Sequence, residues 1–176
     1  MKYYIIAGEA SGDLHASNII KQIKTQDSNA EFRGWGGDLM EIEGVCLVKH
    51  YKNHNYMGFW EVIKHLKTIL SNLNFCKKDI IEYSPDALIL VDFPGFNLRI
   101  AKHFSSSSIP VLYYIAPQVW AWKEGRVVQI KKFITQLYVI LPFERDFFKK
   151  HGIEVNYVGH PLVDHVSNFI ESKATN

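Results

Sequence analysis

Lys2-Tyr3-Tyr4-Ile5-Ile6-Ala7-Gly8-Glu9-Ala10-Ser11-Gly12-Asp13-Leu14-His15 carries a short apolar run through two glycines into a polar segment. A strand that turns tightly into a helix has this form, because glycine frees the backbone and a following Ser or Asp can cap a helix start. Ser11 and Asp13 are both cap candidates, and the helix is expected to begin about Asp13. The same alternation continues downstream. Strands are predicted near Tyr3–Ala7, Glu31–Arg33, Val45–Val48, Ala87–Val91, Val111–Ile115, Leu137–Leu141 and Glu154–Val158, with helical segments filling most gaps. Short apolar runs alternating with longer periodic segments mark βαβ units, so the predicted fold is α/β: a Rossmann-like, doubly wound, mostly parallel sheet of about seven strands.

The clearest helix is predicted from near Phe59 to just before Ser84-Pro85, since the residue preceding a proline is pushed out of the α region. Its stripe of Phe59, Val62, Ile63, Leu66, Ile69, Leu70, Leu73, Cys76 and Ile80 follows i, i+3, i+4, i+7 spacing and predicts one apolar face. Lys64, Lys67, Lys77 and Lys78 share that helix, and Met57-Gly58-Phe59-Trp60 precedes it. A core face and a surface for anionic lipid are both open for this segment. Ser105–Ser108 reads as a connector, and Pro110 opens a strand where a missing N–H is tolerated.

The 176 residues hold 20 Lys and Arg against 18 Asp and Glu, with 47% hydrophobic residues and a net charge of +2. That composition excludes disorder and supports a single domain over 1–170 with a polar tail at 171–176. A near-balanced charge with no basic arm excludes a nucleic-acid partner. Cys46 and Cys76 sit thirty positions apart without a Cys-x-x-Cys pattern and read as small core residues in a reducing compartment. The apolar start is too short for a signal peptide or membrane span, so a cytoplasmic protein is expected.

In open α/β sheets ligands sit outside the carboxyl ends of strands, which directs attention to three loops. In the Gly8–His15 loop, free N–H groups would favour an anion, although it is neither a Walker A loop nor a G-x-G-x-x-G fingerprint. In Val91-Asp92-Phe93-Pro94-Gly95-Phe96-Asn97 an apolar strand ends at a carboxylate ringed by aromatics. Asp92 there is either a general base whose proton affinity is raised by desolvation or a cap for the next helix, with Asn97 a second cap candidate. The third stretch, Tyr114-Ile115-Ala116-Pro117-Gln118-Val119-Trp120-Ala121-Trp122-Lys123-Glu124-Gly125-Arg126, offers rings to stack on a sugar and two cations for an anionic group. Trp120 and Trp122 packing against the sheet is the alternative. His50 and His54 have no carboxylate or thiolate partner beside them, and around His160, Asp164 and His165 the Pro161 more simply marks a strand passing to a final helix, so no metal is expected; no cofactor is expected either.

Six motifs taken together resemble the lipid-A-disaccharide synthase family: Ala7-Gly8-Glu9-Ala10-Ser11-Gly12-Asp13, Met57-Gly58-Phe59-Trp60-Glu61-Val62, Pro85-Asp86 through Asp92-Phe93-Pro94-Gly95-Phe96-Asn97, Pro117-Gln118-Val119-Trp120-Ala121-Trp122, Leu141-Pro142-Phe143-Glu144 and Gly159-His160-Pro161. They occur in the family's order across nearly the whole chain. The resemblance implies an inverting, metal-independent GT-B hexosyltransferase. It would join a UDP-diacylglucosamine donor to a diacylglucosamine 1-phosphate acceptor and release UDP, at the cytoplasmic face of the inner membrane. By position it implies Asp92 as the catalytic carboxylate. It also implies Gly8, Glu9, Ala10, Ser11, Gly12, Asp13 and His15 as the acceptor border, which Gln118, Trp120, Trp122, Lys123 and Arg126 would extend. Met57, Phe59, Trp60, Val62, Ile63, Leu66, Ile69 and Leu70 would then meet acyl chains and the membrane surface.

Two departures matter. Many members carry a second Asp where this chain has Gly95, which leaves Asp92 the candidate base there. Members also run to roughly two domains, so the chain corresponds to the acceptor-side half, with most of the donor site in the other. Positioning two reactants can supply about 7–11 kcal/mol of barrier reduction, and negligible turnover is expected of this chain alone. The other reading is a non-catalytic module that binds an anionic lipid or a protein on the same scaffold.

Overall fold

A computed structural model describes residues 1–54, 66–122 and 124–163. Seven strands form one sheet among the described residues: β1 (Lys2–Ala7), β2 (Glu31–Gly36), β3 (Cys46–His50), β4 (Ala87–Val91), β5 (Val111–Tyr114), β6 (Gln136–Val139) and β7 (Asn156–Tyr157). Their order is β3-β2-β1-β4-β5-β6-β7 and every pairing is parallel. The chain therefore winds outward from β1 in one direction and from β4 in the other. The two central strands meet along Tyr3↔Ala87 to Ala7↔Val91, and their loops diverge at the carboxyl edge to open a crevice.

The helices are α1 (Ala10–Gln26), α2 (Asp38–Ile42), α3 (Leu66–Tyr83), α4 (Pro94–Phe104), α5 (Val119–Trp122), α6 (Val127–Phe133) and α7 (Glu144–Lys150). Side-chain alternation on buried strands divides the core in two. Ile5, Ala7, Ile89 and Val91 pack with Ala16 and Ile20 of α1 and Met40 of α2. Tyr4, Ile6, Leu88 and Leu90 pack on the other face with Cys76 of α3, Ile100 of α4, Ile130 of α6 and Phe148 of α7. β4 is buried along its whole length, as a continuous apolar run should be.

Several expectations need correction. α1 starts at Ala10, a turn earlier than expected, with Glu9 at its N-cap and no side-chain cap, so neither Ser11 nor Asp13 caps it. Asp13 faces inward instead: its carboxylate accepts from the amides of Gly37 (2.8 Å), Leu39 (3.1 Å) and Met40 (3.1 Å) and so closes the start of α2. Cys46 is exposed rather than in the core, because β3 is an edge strand; Cys76 is buried. The apolar face of α3 holds Leu73, Cys76 and Ile80, whereas Leu70 lies outside it and is exposed. On the same helix Asp79 takes Arg33 in an ion pair of 2.6 Å and the Tyr4 hydroxyl at 2.7 Å, tying α3 to β1 and β2.

Candidate active site at the β1 and β4 exits

The turn leaving β4 is strained. Asp92 and Phe93 both adopt the left-handed conformation, at φ of 45° and 50°, as does Ile115 at the exit of β5, at φ of 63°. Each such non-glycine residue costs on the order of 1–3 kcal/mol and persists only where its surroundings over-determine it. Here they do. The Asp92 amide donates to Tyr114 (3.0 Å). Its carbonyl accepts from the Asn97 side-chain amide (2.7 Å) and from the Tyr113 hydroxyl (2.5 Å).

The turn gives α4 its start. Phe93 is the N-cap in left-handed geometry, Pro94 follows in the first turn, and no side chain caps the helix. The cap readings of Asp92 and Asn97 are thereby replaced: the Asp92 carboxylate is left to the crevice, and Asn97 sits inside α4 reaching back to the strand end. The Phe93 ring lies over Gly8, where a Cβ would stand 2.4 Å from the ring, so the β1 exit must be glycine for the two loops to meet. Gly12 likewise packs against the Ala7 Cβ at the distance a Cβ would find tight, 3.3 Å.

Two cavities open around this turn. Asp92 lines the first, of about 240 Å³, with Gln118, Arg126 and Glu144, closed by Pro94, Ile115 and Leu141. Partial burial pushes the Asp92 carboxyl above the usual carboxylate range, and the nearby Glu9 carboxylate adds to this while the Phe93 amide opposes it. Among the described residues no carboxylate pairs with Arg126. A group that holds its proton more tightly than usual thus shares a cavity with the Arg126 guanidinium, an arrangement able to take a proton beside an anion.

Glu144 is fully buried at the start of α7. It accepts from the amides of Ile140 (3.1 Å) and Leu141 (2.9 Å) and from the Trp120 indole (3.3 Å), whose ring meets Phe143 edge-on at 4.9 Å. Trp120 therefore buttresses the wall with its polar edge already satisfied, as the packing alternative has it. Gly8 lines a second, mostly apolar cavity of about 230 Å³ with Trp35, Lys49, Ile69 and Phe93. His15 lies apart, in a cleft of about 800 Å³ with His160 and Tyr157, and burial lowers its proton affinity.

The structure brings Asp92, Gln118 and Arg126 together, with Glu9 close enough to act on Asp92 electrostatically. Ala10 and Ser11 are exposed on the first turn of α1. Trp122 ends α5, Leu66 is the first described residue of α3, and Ile69 is half-buried. Met57, Phe59, Trp60, Val62, Ile63, Lys123, Asp164 and His165 lie outside the described residues. The sequence singles out neither Tyr113 nor Glu144 as a site residue, although Glu144 stands in Leu141-Pro142-Phe143-Glu144, and it offers Asn97 as a cap and not as a brace.

Residues 3–176 match the family described as lipid-A-disaccharide synthetase. Curated lipid-A-disaccharide synthases from Geobacter metallireducens and Trichlorobacter lovleyi are 44% and 41% identical over 93% and 91% of this chain. In both cases the match covers 42% of the relative, so the chain spans about two fifths of the length of the relatives it matches. Solved structures of UDP-GlcNAc 2-epimerases share the fold. The Neisseria meningitidis enzyme superposes with a TM-score of 0.69 at 9% identity over 98% of this chain and 49% of its own. The Methanocaldococcus jannaschii enzyme gives 0.59 at 16% identity, over 93% and 47%.

Proposed function

The chain belongs to the lipid-A-disaccharide synthetase family, and we propose that it forms the acceptor side of an inverting hexosyl transfer in which Asp92 is the general base. The acceptor in this reading is a diacylglucosamine 1-phosphate and the donor UDP-diacylglucosamine. The Asp92 carboxylate takes the proton from the attacking acceptor hydroxyl. The oxygen's electron pair forms the new bond to the anomeric carbon as the bond from that carbon to the UDP oxygen breaks, and UDP leaves with the pair. A base whose proton affinity lies nearer the working pH removes that proton more effectively, and such positioned transfer is worth about 10²–10⁴-fold. No cofactor takes part.

The observation that carries this reading is the Asp92 carboxyl at the exit of β4, one of the two strands between which the sheet's winding reverses, lining a cavity closed by the exits of β5 and β6; ligands of open α/β sheets bind at these carboxyl ends. Arg126 and Gln118 supply donors for the acceptor's anionic and hydroxyl groups, and Lys123 follows in sequence. Glu9, Ala10 and Ser11 form the border from the α1 side. Gly8 and Gly12 let that border close on β4, Asp13 fixes it from behind, and His15 lies beyond it in the cleft with His160. Trp120 shapes the wall, and Trp122 lies at the end of the same short helix.

Transfer of a lipid substrate also calls for access to a membrane. No helix among the described residues is long and apolar enough to cross one. The proposed contact is peripheral, at the cytoplasmic face of the inner membrane. It runs through Met57, Phe59, Trp60, Val62, Ile63 and Leu66, with Ile69 and exposed Leu70 continuing the segment.

The test joins this chain to the remaining length of the Geobacter metallireducens relative and measures sugar transfer. Asp92→Asn is expected to lower kcat by about 10²-fold or more with KM little changed; turnover at the unmutated level removes Asp92 from the mechanism. The chain by itself is expected to be inert. An inert chimera that still retains anionic vesicles would favour a non-catalytic lipid-binding module. Changing Phe59 and Trp60 to serine should reduce that retention, and equal retention refutes the membrane contact.

A further inference from the structure

Two buried side chains converge on the main-chain carbonyl of Asp92. Tyr113 lies fully buried on β5, two residues before the strained Ile115, and its hydroxyl donates to that carbonyl at 2.5 Å. Asn97, fully buried in the first turn of α4, donates its side-chain amide to the same oxygen at 2.7 Å, with longer contacts to the carbonyls of Val91 (3.3 Å) and Ile6 (3.5 Å). One carbonyl with two lone pairs thus takes two donors from two separate elements. The residue that owns it holds φ of 45°, a conformation it would leave if unsupported.

We infer that Tyr113 and Asn97 act as positioning residues, clamping the left-handed Asp92 peptide so that the carboxyl stays aimed into its cavity; the inference rests on the reading of Asp92 as the base. Asn97 carries the marks of such a duty. Among the described residues its Oδ1 is buried with no hydrogen-bond partner, a cost that leucine would avoid, so its value lies in what Nδ2 donates. Burial pushes the Tyr113 hydroxyl far above its usual range, which leaves it protonated and donating at every pH the protein meets. α4 is already anchored by Phe96, Ile100, Ala101 and Phe104, so the clamp bears on the peptide rather than on the helix.

Titration of Asp92 reports its position. The groups facing it are Glu9 from the β1 exit, Tyr113 from β5, Arg126 ahead of α6 and Glu144 from α7. In Asn97→Leu all four stay in place, so there only a move of the carboxyl toward solvent relieves its desolvation.

The experiment follows the carboxyl carbon of Asp92 by NMR across pH in this chain, assigned with Asp92→Asn, and repeats it in Tyr113→Phe and Asn97→Leu. Both variants are expected to lower the Asp92 midpoint by about half a unit or more while unfolding stays cooperative. In the chimera each should lower kcat by about tenfold or more with KM nearly unchanged, and shift the acidic limb of the rate profile the same way. If Tyr113→Phe does not fold, Asn97→Leu removes the second donor alone and decides the matter. Midpoint and acidic limb both unmoved overturn the clamp, leaving the base intact if Asp92→Asn still abolishes turnover. Should Asp92→Asn instead retain turnover, the base reading falls, and the midpoint in the chain alone still decides whether the two side chains hold the carboxyl.

Discussion

Replacing Gly8 by alanine would drive a methyl group into the ring of Phe93, since an ideal Cβ lies 2.4 Å from Cγ and Cδ1 and 2.7 Å from Cδ2. The backbone at Gly8 is not in the left-handed region, so alanine is conformationally allowed. By restricting the unfolded chain it would contribute about 0.4–1 kcal/mol of stability. Against that stands overpacking of about 1–3 kcal/mol, because Phe93 cannot retreat easily: its backbone is fixed by the turn and its ring stacks on Phe96 at 5.6 Å. The expected net loss is about 1–2 kcal/mol. Urea unfolding of four proteins, the unchanged chain, Gly8→Ala, Phe93→Ala and the double variant, isolates the contact. With the ring gone the added methyl should become neutral or slightly stabilising, giving a coupling of about 1–3 kcal/mol. Effects that add to within about 0.5 kcal/mol would refute the idea that this glycine exists to let the two loops touch.

Asp92→Asn should stabilise the chain near neutral pH. The folded carboxyl holds its proton above the ordinary 3.8, so the stability from its neutral form is complete below that value and is lost as pH rises through the folded one. Melting curves at pH 7 and pH 3 should therefore show a gain at the first that vanishes at the second, and a gain equal at both would contradict a desolvated charge. Asp79→Leu removes the partner of both the half-buried Arg33 and the buried Tyr4 hydroxyl and should cost about 1–3 kcal/mol, read by chemical denaturation; a loss under about 0.5 kcal/mol would show that the pair holds nothing together. Asp13→Ala strands three amides at the start of α2 and should cost about 2–4 kcal/mol, with hydrogen exchange quickening at Gly37, Leu39 and Met40 before elsewhere. At Gly95 a Cβ meets open space at a helix start, so Gly95→Asp should leave stability equal or raise it by up to about 1 kcal/mol, and a clear loss would refute that space.

The sheet was legible because its signal is redundant: seven apolar runs with helical gaps leave few alternatives to a doubly wound order, and all seven strands fall where the runs predicted them. Ends were less legible. α1 starts at Ala10 because the Glu9 carbonyl accepts from Asp13, a main-chain bond that no residue type announces. Cys46 looks buried beside apolar neighbours, yet its exposure depends on β3 being an edge, a property of strand order. The turn at Asp92 was readable as a place, from a carboxylate at the end of an apolar strand. Its conformation was not, since Asp92 tolerates a left-handed backbone without requiring one and Phe93 does not favour it. The brace from Tyr113 joins residues 21 positions apart and becomes visible only when β4 and β5 pair.

The placement of strain argues that this region answers to something other than stability. Of the four non-glycine residues with positive φ among the described residues, Asp92 and Ile115 line one cavity and Phe93 lines the one beside it. Ile115 is the sharpest case, because a β-branched side chain is the least suited to that conformation and glycine would remove the conflict. A desolvated carboxyl, a stranded amide oxygen on Asn97 and three strained backbones then fall within the exits of two adjacent strands. Local rules broken together in one place are what a site shaped for chemistry leaves in a fold. The wide core on both faces of β1 and β4 supplies the stability against which those costs are set, which is why the site can stand at the middle of the sheet and not at its edges.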